Sequence, residues 1–200
     1  MKKIILTILS FLFLSQTCQA FYLQNPIDNI KTRIEIKKLS KEINKNTENA
    51  DLFFKRGKKY WSINKINNAN IDFYTAYEIK PDFYEAYFYR ANVYYFNKEY
   101  GWAFEILTDL IKKNPKYKNA YELRANIYNE IHDFENQIKD INKILELDKN
   151  DFYYYSIRGL CYQELGNYEQ AIKDYKKFFE NSNNYHNKNY ILFIKEQLDK

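Results

Sequence analysis

The chain has 200 residues, 46% of them hydrophobic and 28% charged, which is enough apolar material for one domain-sized array with a continuous core. Its formal charge is +5, and the lysines are scattered rather than gathered into a stripe, which argues against nucleic acid as a partner. Tyr and Phe number 21 and 15 beside plentiful Lys, Asn and Ile, the bias of an AT-rich coding sequence, so aromatic position is informative and aromatic number is not.

In residues 1–20, Lys2 and Lys3 precede an apolar run from Ile4 to Leu14 and a polar stretch from Ser15 to Gln19. The run falls short of the roughly 20 residues that span a membrane and suits the apolar region of a secretory signal peptide. Cleavage is expected after Ala20, giving a mature chain that starts at Phe21. A lipid anchor at Cys18 is disfavoured, because Ser15 stands where a lipoprotein signal wants an apolar residue. The chain is therefore expected to be exported, periplasmic or secreted, with no membrane span. After cleavage Cys161 is the one cysteine left, which excludes an intrachain disulfide; on a helical core face it reads as a buried small hydrophobe.

Residues 21–32 read as a linker. Ile36, Leu39 and Ile43, at helical spacing within Arg33 to Asn46, then predict a lone helix over 33–49. From Ala50 the sequence repeats itself. Arg56, Arg90, Arg124 and Arg158 recur every 34 residues, each followed by Gly57, Ala91, Ala125 or Gly159, and three positions further by Tyr60, Tyr94, Tyr128 or Tyr162. With Phe53, Tyr87, Tyr121 and Tyr155 before them, these make one stripe of a 3.6-residue period, the first helix of each block. Ala69, Ala103, Gln137 and Ala171, followed by Phe73, Leu107, Ile141 and Tyr175, mark a second helix. Polar turns such as Asn97-Lys98, His132-Asp133 and Gly166-Asn167 separate the two, and Pro81 or Pro115 stops the second. The blocks run 50–83, 84–117, 118–151 and 152–185. Ile191, Ile194 and Leu198 then predict a capping helix over 186–200.

These positions resemble the tetratricopeptide repeat (TPR), whose pattern of aromatic, small residue, tyrosine, alanine, aromatic, alanine and proline falls on them from Ala50 to Tyr185. The resemblance implies an all-α fold, a right-handed α-solenoid of helix-turn-helix repeats, with residues 33–49 as an N-terminal half repeat and residues 186–200 as the other terminal cap. Gln137 replaces the small alanine and Lys149 the proline in the third repeat, so its helix pair is expected to be the looser one; Asn183 likewise lacks the proline.

An aspartate lies sixteen residues after Arg56, Arg124 and Arg158, at Asp72, Asp140 and Asp174, whereas Ile106 holds that place after Arg90. A carboxylate on the second helix opposite a guanidinium on the first predicts bidentate pairs that fix helix register, a scaffold role rather than a ligand grip. His132 and His186 stand at no triad or metal-ligand spacing, and the four glycines form no phosphate-cradling loop. No catalytic, cofactor or metal set is expected, and the chain reads as non-enzymatic.

The resemblance further implies that the first helices line a concave groove. Its residues here are Phe54, Lys58 and Trp61 in the first repeat, Phe88, Asn92 and Tyr95 in the second, and Asn126 in the third, with the later half acidic at Glu122 and Glu130. The family's clamp for a C-terminal carboxylate wants Lys where Phe88 and Glu122 stand, although Asn92 and Asn126 fit its asparagine place. The implied function is an exported scaffold for protein–protein interaction or assembly, holding a partner peptide or helix in the groove. The alternatives are a self-associating structural envelope protein and an accessory subunit of an envelope enzyme or secretion machine. Neither the partner nor the oligomeric state is readable from the sequence.

Overall fold

A computed structural model describes residues 26–181; the expected signal peptide and the expected helix at 186–200 lie outside the described residues. Within them all regular structure is helical: α1 (Pro26–Ile43), α2 (Ala50–Ser62), α3 (Ile66–Ile79), α4 (Tyr84–Phe96), α5 (Tyr100–Lys113), α6 (Lys118–Glu130), α7 (Phe134–Leu147), α8 (Phe152–Glu164) and α9 (Tyr168–Asn181). From α2 onward, helices of 13 and 14 residues alternate. α1 packs on α2 and α2 on α3, and later α5 on α6, α6 on α7, α7 on α8 and α8 on α9, the neighbour packing that local hydrophobic stripes of one period produce.

The turn inside each pair is set by the backbone. Asn64, Lys98, His132 and Gly166 all take positive φ, at 58°, 61°, 58° and 74°, one per repeat. The next N–H then reaches back to the carbonyl of the repeated tyrosine, from Lys65 to Tyr60 at 2.8 Å, Glu99 to Tyr94 at 2.9 Å, Asp133 to Tyr128 at 2.9 Å and Asn167 to Tyr162 at 2.7 Å. This six-to-one closure satisfies an orphan carbonyl at each helix end. Glycine alone enters that left-handed conformation without steric cost, so three of the four turns carry local strain.

Two expectations need correction. The residues read as a linker are partly helical, because α1 begins at Pro26. Proline at the first helical position loses no hydrogen bond, and Asp28 in the first turn complements the helix dipole. The third helix pair is not slack either. Gln137 is buried at 1% exposure, and the Cys161 thiol donates to its side-chain carbonyl at 3.1 Å. Asp148 caps the end of α7 without a following proline: its carboxylate accepts the Asn150 N–H at 3.1 Å, as Asn114 accepts that of Lys116 at 3.3 Å, and Lys118 ties it to Asp151 at 3.3 and 2.6 Å.

The chain divides after Ala86 into two compact units. In the first, Phe54, Ala69, Phe73 and Ala76 are buried with Ile36 and Ile43 from α1. In the second, the core includes Ala103, Leu107 and Leu110 on α5, Leu123, Ala125 and Ile127 on α6, Ile138, Ile141 and Ile144 on α7, and Ile157 and Cys161 on α8. Size is matched across each helix pair. A Cβ on Gly57 would meet the Phe73 ring at 2.7 Å, and one on Gly159 the Tyr175 ring at 2.8 Å. Where the first helix carries Ala91 or Ala125 instead, the residue sixteen later is the smaller Leu107 or Ile141, and all four are buried. Close packing requires this exchange of volume between facing positions.

Candidate functional site

The arginines hold helix pairs together. Arg56 donates from Nε and Nη2 to both Asp72 oxygens at 2.8 and 2.7 Å; Arg124 does so to Asp140 at 2.8 and 2.7 Å, and Arg158 to Asp174 at 2.7 and 2.7 Å. The remaining Nη1 turns the other way, to Ser40 Oγ at 3.1 Å, Thr108 Oγ1 at 3.2 Å and Asn142 Oδ1 at 2.6 Å. Each guanidinium thus joins its own second helix to the second helix before it. The acceptors lie sixteen residues upstream, a polar residue at the same repeat position that sequence reasoning missed although it was there to find. The hydrogen bonds that Arg56 donates to Asp72 hold its pKa above the ordinary value, against the lowering effect of burial. The aspartates are buried, so the charges are committed to each other and offer little to a ligand.

Arg90 departs from this column. Ile106 fills the aspartate's place and is itself buried, while the Arg90 guanidinium lies 5.8 Å from the Tyr94 ring centre. It lines a cavity of about 460 Å³ with Tyr94, Trp102, Glu105 and Asp109 among its walls.

The residues expected in the groove divide between the two units. In the first, Phe54 is only 5% exposed, with ring centroids 4.8 Å from Phe83 and 5.7 Å from Phe73. That overturns its assignment as a partner anchor: it is core, because the α2 stripe that faces α3 is wide enough to include it. Lys58 lies one turn on and sets its ammonium 4.4 Å from the Phe54 ring centre. Trp61 is half-buried, 6.3 Å from Phe73 between ring centres.

In the second unit, Phe88 is half-buried against Tyr117 at 5.6 Å, and the Asn92 side-chain amide donates to the Phe88 carbonyl at 3.0 Å. Asn126 is half-buried on α6. Tyr95 packs on Phe96 at 5.9 Å and on Tyr100 at 5.6 Å, and the Tyr100 hydroxyl donates to Glu130 Oε2 at 3.1 Å. Burial, then the charge of Glu130 and the neighbouring Tyr100, push the Tyr95 phenol up to about 12. Further along, Lys118 meets three carboxylates, Glu122 at 3.6 Å, Asp148 at 3.3 Å and Asp151 at 2.6 Å, above the Tyr154 ring at 5.8 Å. This face is therefore aromatic and net acidic. Tyr100, Asp148 and Asp151 were not singled out in the sequence, since they meet partners at unlike repeat positions, which a 34-residue alignment does not compare.

No cluster of His, Cys, Asp and Glu suited to a metal occurs among the described residues, and no helix there is long and apolar enough to cross a membrane.

The tetratricopeptide-repeat family model matches residues 119–151 and 152–185, the third and fourth helix pairs. Residues 119–185 are thus tetratricopeptide repeats, and the helix pairs before them share that fold. No curated protein matches the sequence. Among solved structures the TPR chain is similar to MamA, at 22% identity over 80% of this chain and 95% of that one, with a TM-score of 0.68. It is similar to YrrB, described as a TPR protein with an unusual peptide-binding site, at 18% identity over 79% and 84%, with a TM-score of 0.65. It also resembles the first TPR of Spaghetti bound to an HSP90 peptide, at 24% identity over 58% and 94%, with a TM-score of 0.51. At these identities the likeness carries the fold, an all-α solenoid of TPR helix pairs.

Proposed function

We propose that this TPR protein is an exported, non-enzymatic interaction module that holds an extended peptide or a helix of a protein partner on the first-helix face of its repeats. The observation that carries the reading is the division of labour on α4 and α6. One stripe, with Ala91 and Val93 on α4 and Ala125 and Ile127 on α6, is buried in the core. The other keeps Phe88, Tyr95 and Phe96 with Glu122 and Glu130 at least partly accessible, which the core does not require. Rigid aromatic side chains beside polar groups are what a peptide-holding surface uses. Peptide binding by YrrB and by the TPR of Spaghetti supports the same reading. Phe88 and Glu122, at the places where a carboxylate clamp carries lysine, turn the surface away from acidic C-terminal tails. The leader-like residues 1–20 support export.

The test is affinity capture from envelope extracts with the parent chain, Phe88→Ala, Tyr95→Ala and, on the outer helix, Lys112→Ala. Loss of the same partner in both aromatic variants, with Lys112→Ala unchanged and all chains equally helical by circular dichroism, is the expected result. Retention of the partner by both aromatic variants overturns the assignment of this face. Export is read separately from the mature N-terminus: any residue other than Phe21 in protein from its native host overturns the cleavage assignment.

A further inference from the structure

The turn between α4 and α5 gathers three rings and a carboxylate at one edge of the second unit. Tyr95 and Phe96 close α4, Tyr100 opens α5, and Glu130 comes from the last residue of α6. Tyr95 and Phe96 meet edge to face at 76°, Tyr95 and Tyr100 are tilted at 42°, and the Tyr100 hydroxyl fixes Glu130 at 3.1 Å. Solvent reaches both Phe96, 49% exposed, and the Glu130 carboxylate. The face of a ring attracts cations through its quadrupole, and a carboxylate pinned beside such rings adds a full negative charge with part of its hydration already displaced. An anionic group would be repelled by Glu130. A purely apolar group would strip water from that carboxylate without replacing the interaction.

Charge along the same face points the same way. The chain as a whole is positive, yet none of the groove positions named on α4 and α6 carries Lys or Arg. Lys118, at the start of α6, is already engaged by Glu122, Asp148 and Asp151, and Lys98, in the turn between α4 and α5, is exposed to solvent. We propose that Tyr95, Phe96, Tyr100 and Glu130 form a box that receives a cationic side chain, the ammonium of lysine or the guanidinium of arginine, from the peptide bound on this face. The inference rests on the reading of the face as a peptide-holding surface and adds what that peptide must carry.

The test is an NMR titration of the ¹⁵N-labelled chain with N-acetyl-lysine methylamide and N-acetyl-arginine methylamide, beside the uncharged norleucine and the anionic glutamate analogues. Saturable shifts confined to the amides of residues 95–100 and 130 are expected with the two cations and not with the other two. Glu130→Gln is expected to weaken binding about fivefold and Phe96→Ala about threefold, on the scale of partly exposed ion pairs and cation–π contacts. Both side chains are exposed, so both variants are expected to keep the parent spectrum elsewhere. Absence of saturable shifts at these amides, equal shifts with norleucine, or unchanged affinity in Glu130→Gln overturns the box. If a captured partner is lost in Phe88→Ala yet held undiminished by Glu130→Gln, the face binds a peptide and the box is wrong. If the cations bind at the box while Phe88→Ala and Tyr95→Ala still capture the partner, the box stands and the broader reading falls.

Discussion

Removing Arg124 from the third repeat would strand Asp140, whose side chain is 5% exposed and whose two oxygens accept the guanidinium at 2.8 and 2.7 Å. A buried carboxylate left without its partner costs about 3 kcal/mol, so Arg124→Ala is expected to destabilise by about that much. Asp140→Ala leaves a guanidinium that is 15% exposed and still bonded to Thr108, so it can turn to water; its cost is expected to be smaller, about 2 kcal/mol. The double variant strands no charge and loses mainly the packing of Arg124 against Phe104 and Tyr121, for a cost of about 2 to 3 kcal/mol. The coupling is therefore about 2 to 3 kcal/mol, well above the roughly 0.5 kcal/mol within which independent sites add. Urea unfolding followed by circular dichroism gives the four stabilities. A repeat array can open one unit at a time, so hydrogen exchange at the Ile127 and Ile141 amides reports whether the loss is local to this pair. Additive losses, with coupling under about 0.5 kcal/mol, would refute the idea that the pair acts as one structural element.

The glycines are predicted to respond with opposite signs. Gly57→Ala and Gly159→Ala would push a Cβ into Phe73 or Tyr175 and lower the unfolding free energy from urea titration by about 1 to 3 kcal/mol, whereas Gly101→Ala meets nothing within 4 Å and is expected to gain about 0.5 kcal/mol from helix propensity. A stabilised Gly57→Ala would show that the ring can move aside. At the turns, His132→Gly is expected to raise thermal stability by about 0.5 to 1 kcal/mol by relieving a positive φ, and Gly166→Ala to lower it by about 1 kcal/mol; equal melting temperatures would remove the strain. Alkaline pH is predicted to destabilise the fold. Burial pushes the Cys161 thiol from 9.0 up to about 12, so the unfolded chain releases that proton first; its contribution is complete below pH 9 and is lost as pH rises toward 12. Tyr95, raised from 10.0 to about 12, acts in the same direction. Urea midpoints at roughly pH 8 and pH 11 check this, with Cys161→Ala expected to show the smaller drop.

The repeat was legible because its signals are local. A helix stripe at Phe53, Arg56, Gly57 and Tyr60, copied every 34 residues, states the element, its buried face and its neighbour in the same few positions. The partner sixteen residues upstream of each arginine, and the exchange of Gly with Phe or Tyr for Ala with Leu or Ile, were equally present in the alignment. They become visible only once volume and hydrogen bonds are compared between positions rather than within them. Phe54 shows where periodicity runs out. Its place on a first helix matches that of Phe88, yet one ring is core and the other only half-buried, because burial depends on what packs over it, here Phe73 and Phe83.

The sequence by itself thus determined the all-α TPR class and the buried stripe of each helix, because both follow from the spacing of side chains along a single helix. Only the tertiary structure decided how Tyr95, Phe96, Tyr100 and Glu130 come together, that Lys118 reaches Asp148 and Asp151, and that Gln137 is satisfied by Cys161. Those outcomes are contacts between unlike repeat positions, which the packing of successive helices creates and no period in the chain records.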